Sequence, residues 1–347
     1  MNRKQYLHWY SPFRLLFLLF FTVMLSACVT EETGSDTPYG NWKTLWNILD
    51  THYCFFADKQ QTYGLDWDEV GSRYGSRITP SMSSDQLFQV CGEMLRELRD
   101  GHVNLTSPGN TARYWDWFEN YPANFSDSLQ RIVLGKDYRL TQGLKYRILE
   151  DNIGYLYCPS FDVSFGSGNL SAVFSYLAPC NGLIVDVRNN SGGLLTSAQA
   201  LAGCFIDSPV TGGYICHKKG PAHDDFSSPK PIQLEPAKGV RWQKPVVVLI
   251  NRRCYSAANA FVMFMQSCTS AVLMGNRTGG GCGMPFVSEL PNGWGVRFSA
   301  CPMYDTQMQL TEQGIEPHIH LDINSFDWSE GRDTYIERAR EWLNGQH

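Results

Sequence analysis

The stretch PVVVLINRRCYSAANAF, residues 245–261, holds the junction on which the fold reading turns. PVVVLI (245–250) is a continuous apolar run rich in β-branched residues, the signature of a strand buried on both faces. NRRCY (251–255) is a short polar turn, and an alanine-rich apolar pattern then runs as a helix from Ser256 to about residue 268. A serine at that junction is a preferred helix N-cap. It also stands where free N–H groups and the positive end of the helix dipole can stabilise negative charge on a neighbouring carbonyl oxygen. The N–H of Ala257 is the natural donor. Cap and nucleophile are both open on this stretch alone. No GxSxG elbow surrounds Ser256, which argues against an α/β-hydrolase.

The pattern repeats outward from there. IGYLYC (153–158), GLIVDV (182–187) and AVLMG (271–275) read as further strands, with a helix over about 194–205 between two of them. SELPNGWGVRFS (288–299) reads as a hairpin around Pro291-Asn292-Gly293, and DTYIERAREWL (333–343) as a closing amphipathic helix. Strands alternating with helices predict an α/β layer fold for residues 151–347. Residues 41–106 read as a helical domain. Trp42, Leu45, Trp46, Leu49 and Tyr53 keep helical spacing, Asp66 can cap a second helix, and Ser83 with Gln86 fits a capping box before a third. That helix stops near Gly101, and HVNLT then alternates like a short strand. Residues 107–150 carry no strong period and read as a connecting segment.

Bulk properties narrow the function. The 347 residues are 43% hydrophobic and 18% charged, with a net charge of −5 and no basic run in the body of the chain. Nucleic-acid binding has no support. Residues 1–27 read as a signal peptide: Arg3, Lys4 and Arg14 precede LLFLLFFTVML (15–25). LSAC (25–28) resembles a bacterial lipobox, in which Cys28 is lipidated and anchors the mature chain to a membrane. Residues 28–40 then form a polar tether. Acidic residues just after Cys28 resemble the surface-export signal of Bacteroidetes lipoproteins. The expectation is a cell-envelope location, as an outer-membrane lipoprotein facing the periplasm or the cell surface. Ten further cysteines show no CxxC spacing, so a metal site has no support from spacing.

Two more segments carry candidate chemistry. DVRNNSGG (186–193) follows a buried strand with polar residues and two glycines, a geometry that frees backbone N–H groups. A serine nucleophile needs a base. Of eight histidines, His102, in DGHV at a helix-to-strand junction, is the best positioned.

SAANAF after its strand, GNRTGGG (275–281), DVRNNSGG, LRDGHVNL (98–105) and QGIEPHI (313–319) occur in the order of one family. Together they resemble the carboxyl-terminal-processing (tail-specific) and tricorn protease superfamily of serine peptidases, over roughly residues 41–325. The resemblance implies a ClpP/crotonase-like ββα core behind an N-terminal helical region. It makes Ser256 the nucleophile, with Ala257 and, of the Gly192-Gly193 pair, Gly192 as oxyanion donors. In the processing proteases the base is a lysine in a T-x-G-K-G segment. Here that segment is Thr278 to Cys282, Gly281 holds the lysine position, and no lysine follows Lys244. A Ser–Lys dyad is excluded on that alignment. The tricorn-like branch uses histidine, which matches His102, although Gly101 stands where that branch has a serine. The acidic member is Glu312 in preference to Glu316, and Pro317-His318 replaces the family's Pro-Asp. Residues 107–150 are too few for the family's PDZ domain. The implied protein is a lipid-anchored serine peptidase acting on exported or extracellular peptides or proteins, with no metal or organic cofactor. The alternative is a non-catalytic ligand- or peptide-binding lipoprotein on the same scaffold.

Overall fold

The computed structural model describes residues 34–346 except Thr269. The expected signal segment, Cys28 and the first part of the tether lie outside the described residues. Four helices come first: α1 (Pro38–His52), α2 (Phe56–Tyr63), α3 (Trp67–Gly75) and α4 (Ser84–Arg96). The Asp66 side chain accepts the Glu69 N–H and starts α3. Ser83 and Gln86 close the reciprocal capping box of α4. No apolar period announces α2, whose only buried side chains are Phe56 and Lys59.

The segment between the helices and the α/β pattern is structured. β1 (Asn104–Ser107) and β2 (Asn110–Arg113) form a hairpin, followed by α5 (Asp116–Glu119) and α6 (Asp127–Leu134). A second hairpin, β3 (Arg139–Thr141) and β4 (Leu144–Ile148), leads antiparallel into β5 (Ile153–Tyr157). These pieces are short and half exposed, so their sequences carry little periodicity. Next come α7 (Ser167–Leu177), β6 (Gly182–Asp186), α8 (Leu195–Ala202), β7 (Val210–Ile215) and β8 (Lys230–Leu234). β9 (Val246–Ile250), α9 (Ala257–Met265) and β10 (Ala271–Gly275) carry the opening stretch. The chain closes with β11 (Gly283–Glu289), β12 (Gly295–Tyr304), β13 (Ile319–His320), α10 (Ser325–Ser329) and α11 (Thr334–Asn344).

Two sheets result. One has seven strands in the order β13-β10-β9-β6-β5-β4-β3, parallel from β13 to β5. The other has six, in the order β2-β1-β12-β7-β8 with β11 along β12. The observed class is therefore the mixed α/β one, behind a helical front region. β9 shows why its sequence is apolar throughout. Val246, Val248 and Ile250 enter one core cluster, and Val247 and Leu249 enter the other, beneath Tyr335 and Ile336 of α11. Side chains alternate across a strand, and here both faces are covered. The first cluster also contains Trp42, Leu45 and Val90, so the front helices share one core with the sheets. Arg188, fully buried, ion-pairs with Asp186 at the end of β6 and with Asp333, the cap of α11. That explains the charged pair inside the DVRNN segment as a structural tie.

Candidate active site

The turn after β9 delivers Ser256 to the start of α9 in an unusual conformation, with φ 56° and ψ −121°. A non-glycine residue at positive φ costs about 1–3 kcal/mol and persists only where neighbours fix it. Here the Ser256 N–H donates to the Gly280 carbonyl at 2.9 Å, and the Tyr255 N–H donates to the Asn190 carbonyl at 3.1 Å. Ser256 occupies the N-cap position, yet its side chain makes no capping hydrogen bond. Its Oγ lies 3.0 Å from His102 Nε2 instead.

His102 sits between α4 and β1 and is buried, with 2% of its surface exposed. Its backbone N–H donates to Asp100 Oδ1 at 2.7 Å, and its carbonyl accepts from Asn104 Nδ2 at 2.9 Å. Burial pushes the imidazole down to about 4, with the Asp100 charge opposing and Arg297 adding to the effect. The ring is therefore neutral at pH 7. A neutral ring that accepts the Ser256 hydroxyl proton on Nε2 carries its own proton on Nδ1. Nδ1 is buried and meets no partner among the described residues. Tyr255 packs against the imidazole at 4.9 Å between ring centroids, and Trp117 stacks on Tyr255 at 4.1 Å and 24°.

Three glycines explain how this differs from the pattern read in the sequence. A Cβ on Gly281, at φ +74°, would come within 2.6 Å of Tyr255 Cε2 and 2.7 Å of Cε1, overlapping the ring. The volume a lysine stem would need is thus filled by tyrosine. A Cβ on Gly101 would come 2.6 Å from Trp117 Nε1 and 2.9 Å from the Tyr255 hydroxyl, which leaves no room for a serine before His102. Gly192, at φ +106°, presses on the serine turn: its Cβ would stand 2.8 Å from Ser256 Cβ and 3.0 Å from the Ala257 nitrogen. The expectation that Gly192 offers its N–H is corrected, because that N–H donates to Asn190 Oδ1 at 2.9 Å. The next N–H along, that of Gly193, has no acceptor among the described residues, and neither has that of Ala257.

The two candidate acids separate clearly. Glu316 is exposed and pairs with Arg277 at 3.3 Å. Glu312 is buried; its Oε2 accepts the Cys282 N–H at 2.9 Å, and its Oε1 stands 3.8 Å from Lys59 Nζ. It is not hydrogen-bonded to the imidazole. Burial, reinforced by Asp100, pushes the Glu312 carboxyl up to about 8 against the pull of Lys59. A lysine does reach this region from outside the T-x-G-K-G segment, namely Lys59. It enters from α2, nearly two hundred positions upstream of Ser256, and its ammonium partner is Glu312. A cleft of about 370 Å³ beside these groups is lined by Lys59, Arg99, Trp117, Tyr255, Glu312 and Gln313. The sequence reading missed Lys59, Trp117 and Asp100. Only Asp100 left a readable signal, an Asp two residues before the histidine, whose carboxylate can take the N–H of residue i+2.

Comparisons with known proteins bear on this geometry. Residues 152–321 match the model of peptidase family S41, and residues 38–96 match the tricorn protease C1 domain. A crystal structure of a "putative peptidase" from Parabacteroides merdae is 45% identical, covers 89% of this chain and 97% of its own, and superposes with a TM-score of 0.84. The chain belongs to peptidase family S41. This S41 chain is 24% identical over 198 residues to a carboxy-terminal processing protease of Bacillus subtilis, covering 56% of itself and 40% of that protein. It spans only 20–22% of the length of the first curated relatives it matches. Mature CPAF, solved in complex with lactacystin, superposes at a TM-score of 0.66 with 14% identity, covering 88% of this chain and 97% of the other; that is a likeness of fold.

Proposed function

We propose that the protein is a serine peptidase in which Ser256 is the nucleophile and His102 the general base. The observation that carries this is the 3.0 Å approach of Ser256 Oγ to His102 Nε2 at the N-terminus of α9. Ser256 Oγ attacks the scissile carbonyl and its proton passes to Nε2. The oxyanion rests on the N–H groups of Ala257 and Gly193, at the positive end of the helix. The imidazolium then protonates the leaving amine, and water enters by the reverse sequence to release the acid and restore Ser256. Glu312 and Lys59 form one wall of the adjoining cleft. Gly281 in the lysine position, with the Tyr255 ring filling the space beside it, leaves histidine as the base.

The substrates are peptides or proteins outside the inner membrane. The lipobox around Cys28 supports a lipid anchor and an outer-membrane location. Incorporation of labelled palmitate into wild type and its loss in Cys28→Ala tests the anchor. Among the described residues no helix is long and apolar enough to cross a membrane. No observation favours the binding-protein alternative, since a binder has no use for a serine held at positive φ against a neutral imidazole.

A fluorophosphonate probe tests the mechanism. Wild type is expected to label, Ser256→Ala not at all, and His102→Ala much more slowly. Equal labelling of wild type and Ser256→Ala would end the proposal.

A further inference from the structure

The serine–histidine pair leaves one question open. Among the described residues the imidazole has no carboxylate on Nδ1, and Glu312 instead faces the Cys282 N–H and Lys59. Something else must fix the ring and answer the charge it gains when it takes a proton. The carboxylate placed to do so is Asp100, two residues before His102 and only 1% exposed.

Asp100 gathers donors from separate parts of the fold. Its Oδ1 accepts the His102 backbone N–H at 2.7 Å. Its Oδ2 accepts the Ser299 hydroxyl of β12 at 2.8 Å and the Tyr53 hydroxyl, just past α1, at 3.1 Å. The Tyr255 hydroxyl lies 3.5 Å from Oδ1, long for a bond but facing it. Tyr255 is the residue before Ser256, and its ring also packs on the imidazole. One carboxylate thus touches the backbone of the histidine and the side chain that precedes the serine. It is held by hydroxyls and an N–H, not by a cation, so its charge is left to act on its surroundings. The other ionisable groups around it are Tyr53 and Cys54 after α1, Lys59 on α2, Tyr255, Arg297 on β12, and Glu312.

We propose that Asp100 is the positioning residue of the Ser256–His102 pair, fixing the His102 turn and the Tyr255 ring on a single carboxylate and stabilising the imidazolium formed during turnover. This rests on the peptidase reading above. Asp100 is shut off from solvent behind the pair, so its contribution falls on the chemical step and not on substrate binding. A misplaced base costs about 10²-fold in rate, which sets the scale of the effect.

The test uses the full chain with Asp100 changed to Asn, which keeps the shape and removes the charge. The expected kcat falls by about 10- to 100-fold while KM stays within about twofold. The His102 ring resonance, identified by its loss in His102→Ala, is titrated by NMR in parallel. Asp100 is the neighbour that raises the imidazole's affinity for a proton, so the titration midpoint is expected to move to lower pH in Asp100→Asn. Fluorophosphonate labelling of wild type reports on the peptidase reading separately. If wild type labels, and Asp100→Asn keeps both its kcat and its His102 midpoint, the Asp100 inference falls and the peptidase reading stands. If wild type does not label, an unmoved midpoint still overturns the electrostatic role. If Asp100→Asn does not fold, Ser299→Ala and Tyr53→Phe each remove one donor and leave the charge. Each is then expected to lower kcat by about 3- to 10-fold with KM unchanged, and wild-type kcat in both would overturn the proposal.

Discussion

At the scale of single residues, the environment of His102 makes a prediction that an exposed histidine would not. Its folded midpoint, about 4, lies below the ordinary value of 6.5, and burial is the main cause. The neutral base therefore persists into mildly acidic solution. The acid limb of kcat/KM is expected to have a midpoint near pH 4, and a pH–rate profile that breaks near 6.5 would contradict the buried geometry. Stability follows the same sign. The unfolded chain takes up a proton below 6.5 and the folded one does not until about 4, so His102 withdraws stability as pH falls through that window. The serine and the histidine were both legible in the sequence, since each sits at an element junction marked by local chemistry. The engagement of the Gly192 N–H was not. It depends on the Asn190 side chain turning back to take the Gly192 N–H, a contact that no spacing rule reports.

At the scale of elements, strands and helices with a strong period were read correctly, and those without one were missed. β6 and β9 are continuous apolar runs because their side chains enter a core cluster on each face of the sheet, and β10 follows them over Leu273–Gly275. α2 has no such stripe, yet it brings Lys59 to Glu312. That pair yields a test with a definite sign. The fold favours the neutral form of Glu312, whose midpoint rises from 4.5 to about 8, so its contribution is full below 4.5 and is lost as pH rises toward 8. Lys59 is the cation that limits this rise. Replacing Lys59 by Met is expected to push the Glu312 midpoint further up, so the variant loses up to about 1.4 kcal/mol more at pH 9 than at pH 6. Urea denaturation at the two pH values measures it. An equal loss at both would assign Lys59 a packing role instead. The aromatic segment carrying Trp117 was opaque for a related reason: α5 is only four residues long, and its contact with Tyr255 belongs to tertiary packing.

At the scale of the whole molecule, the front helices and the sheets share one apolar core. Trp42, Leu45 and Val90 belong to the same apolar cluster as Val246 and Phe261. A fragment of residues 151–347 would expose that shared surface and lack His102, Asp100 and Lys59. It is expected to show no cooperative thermal transition, whereas residues 34–347 melt in a single step; a sharp melt of the fragment would show that the sheets fold alone. The order of family motifs along the chain disclosed this architecture, but not that the two regions share a core. Ser256 and His102 stand 154 positions apart. An unfolded chain does not hold them in register. On the proposed mechanism the two reacting groups meet only in the folded chain, so cutting power would arrive last, as a by-product of completed folding.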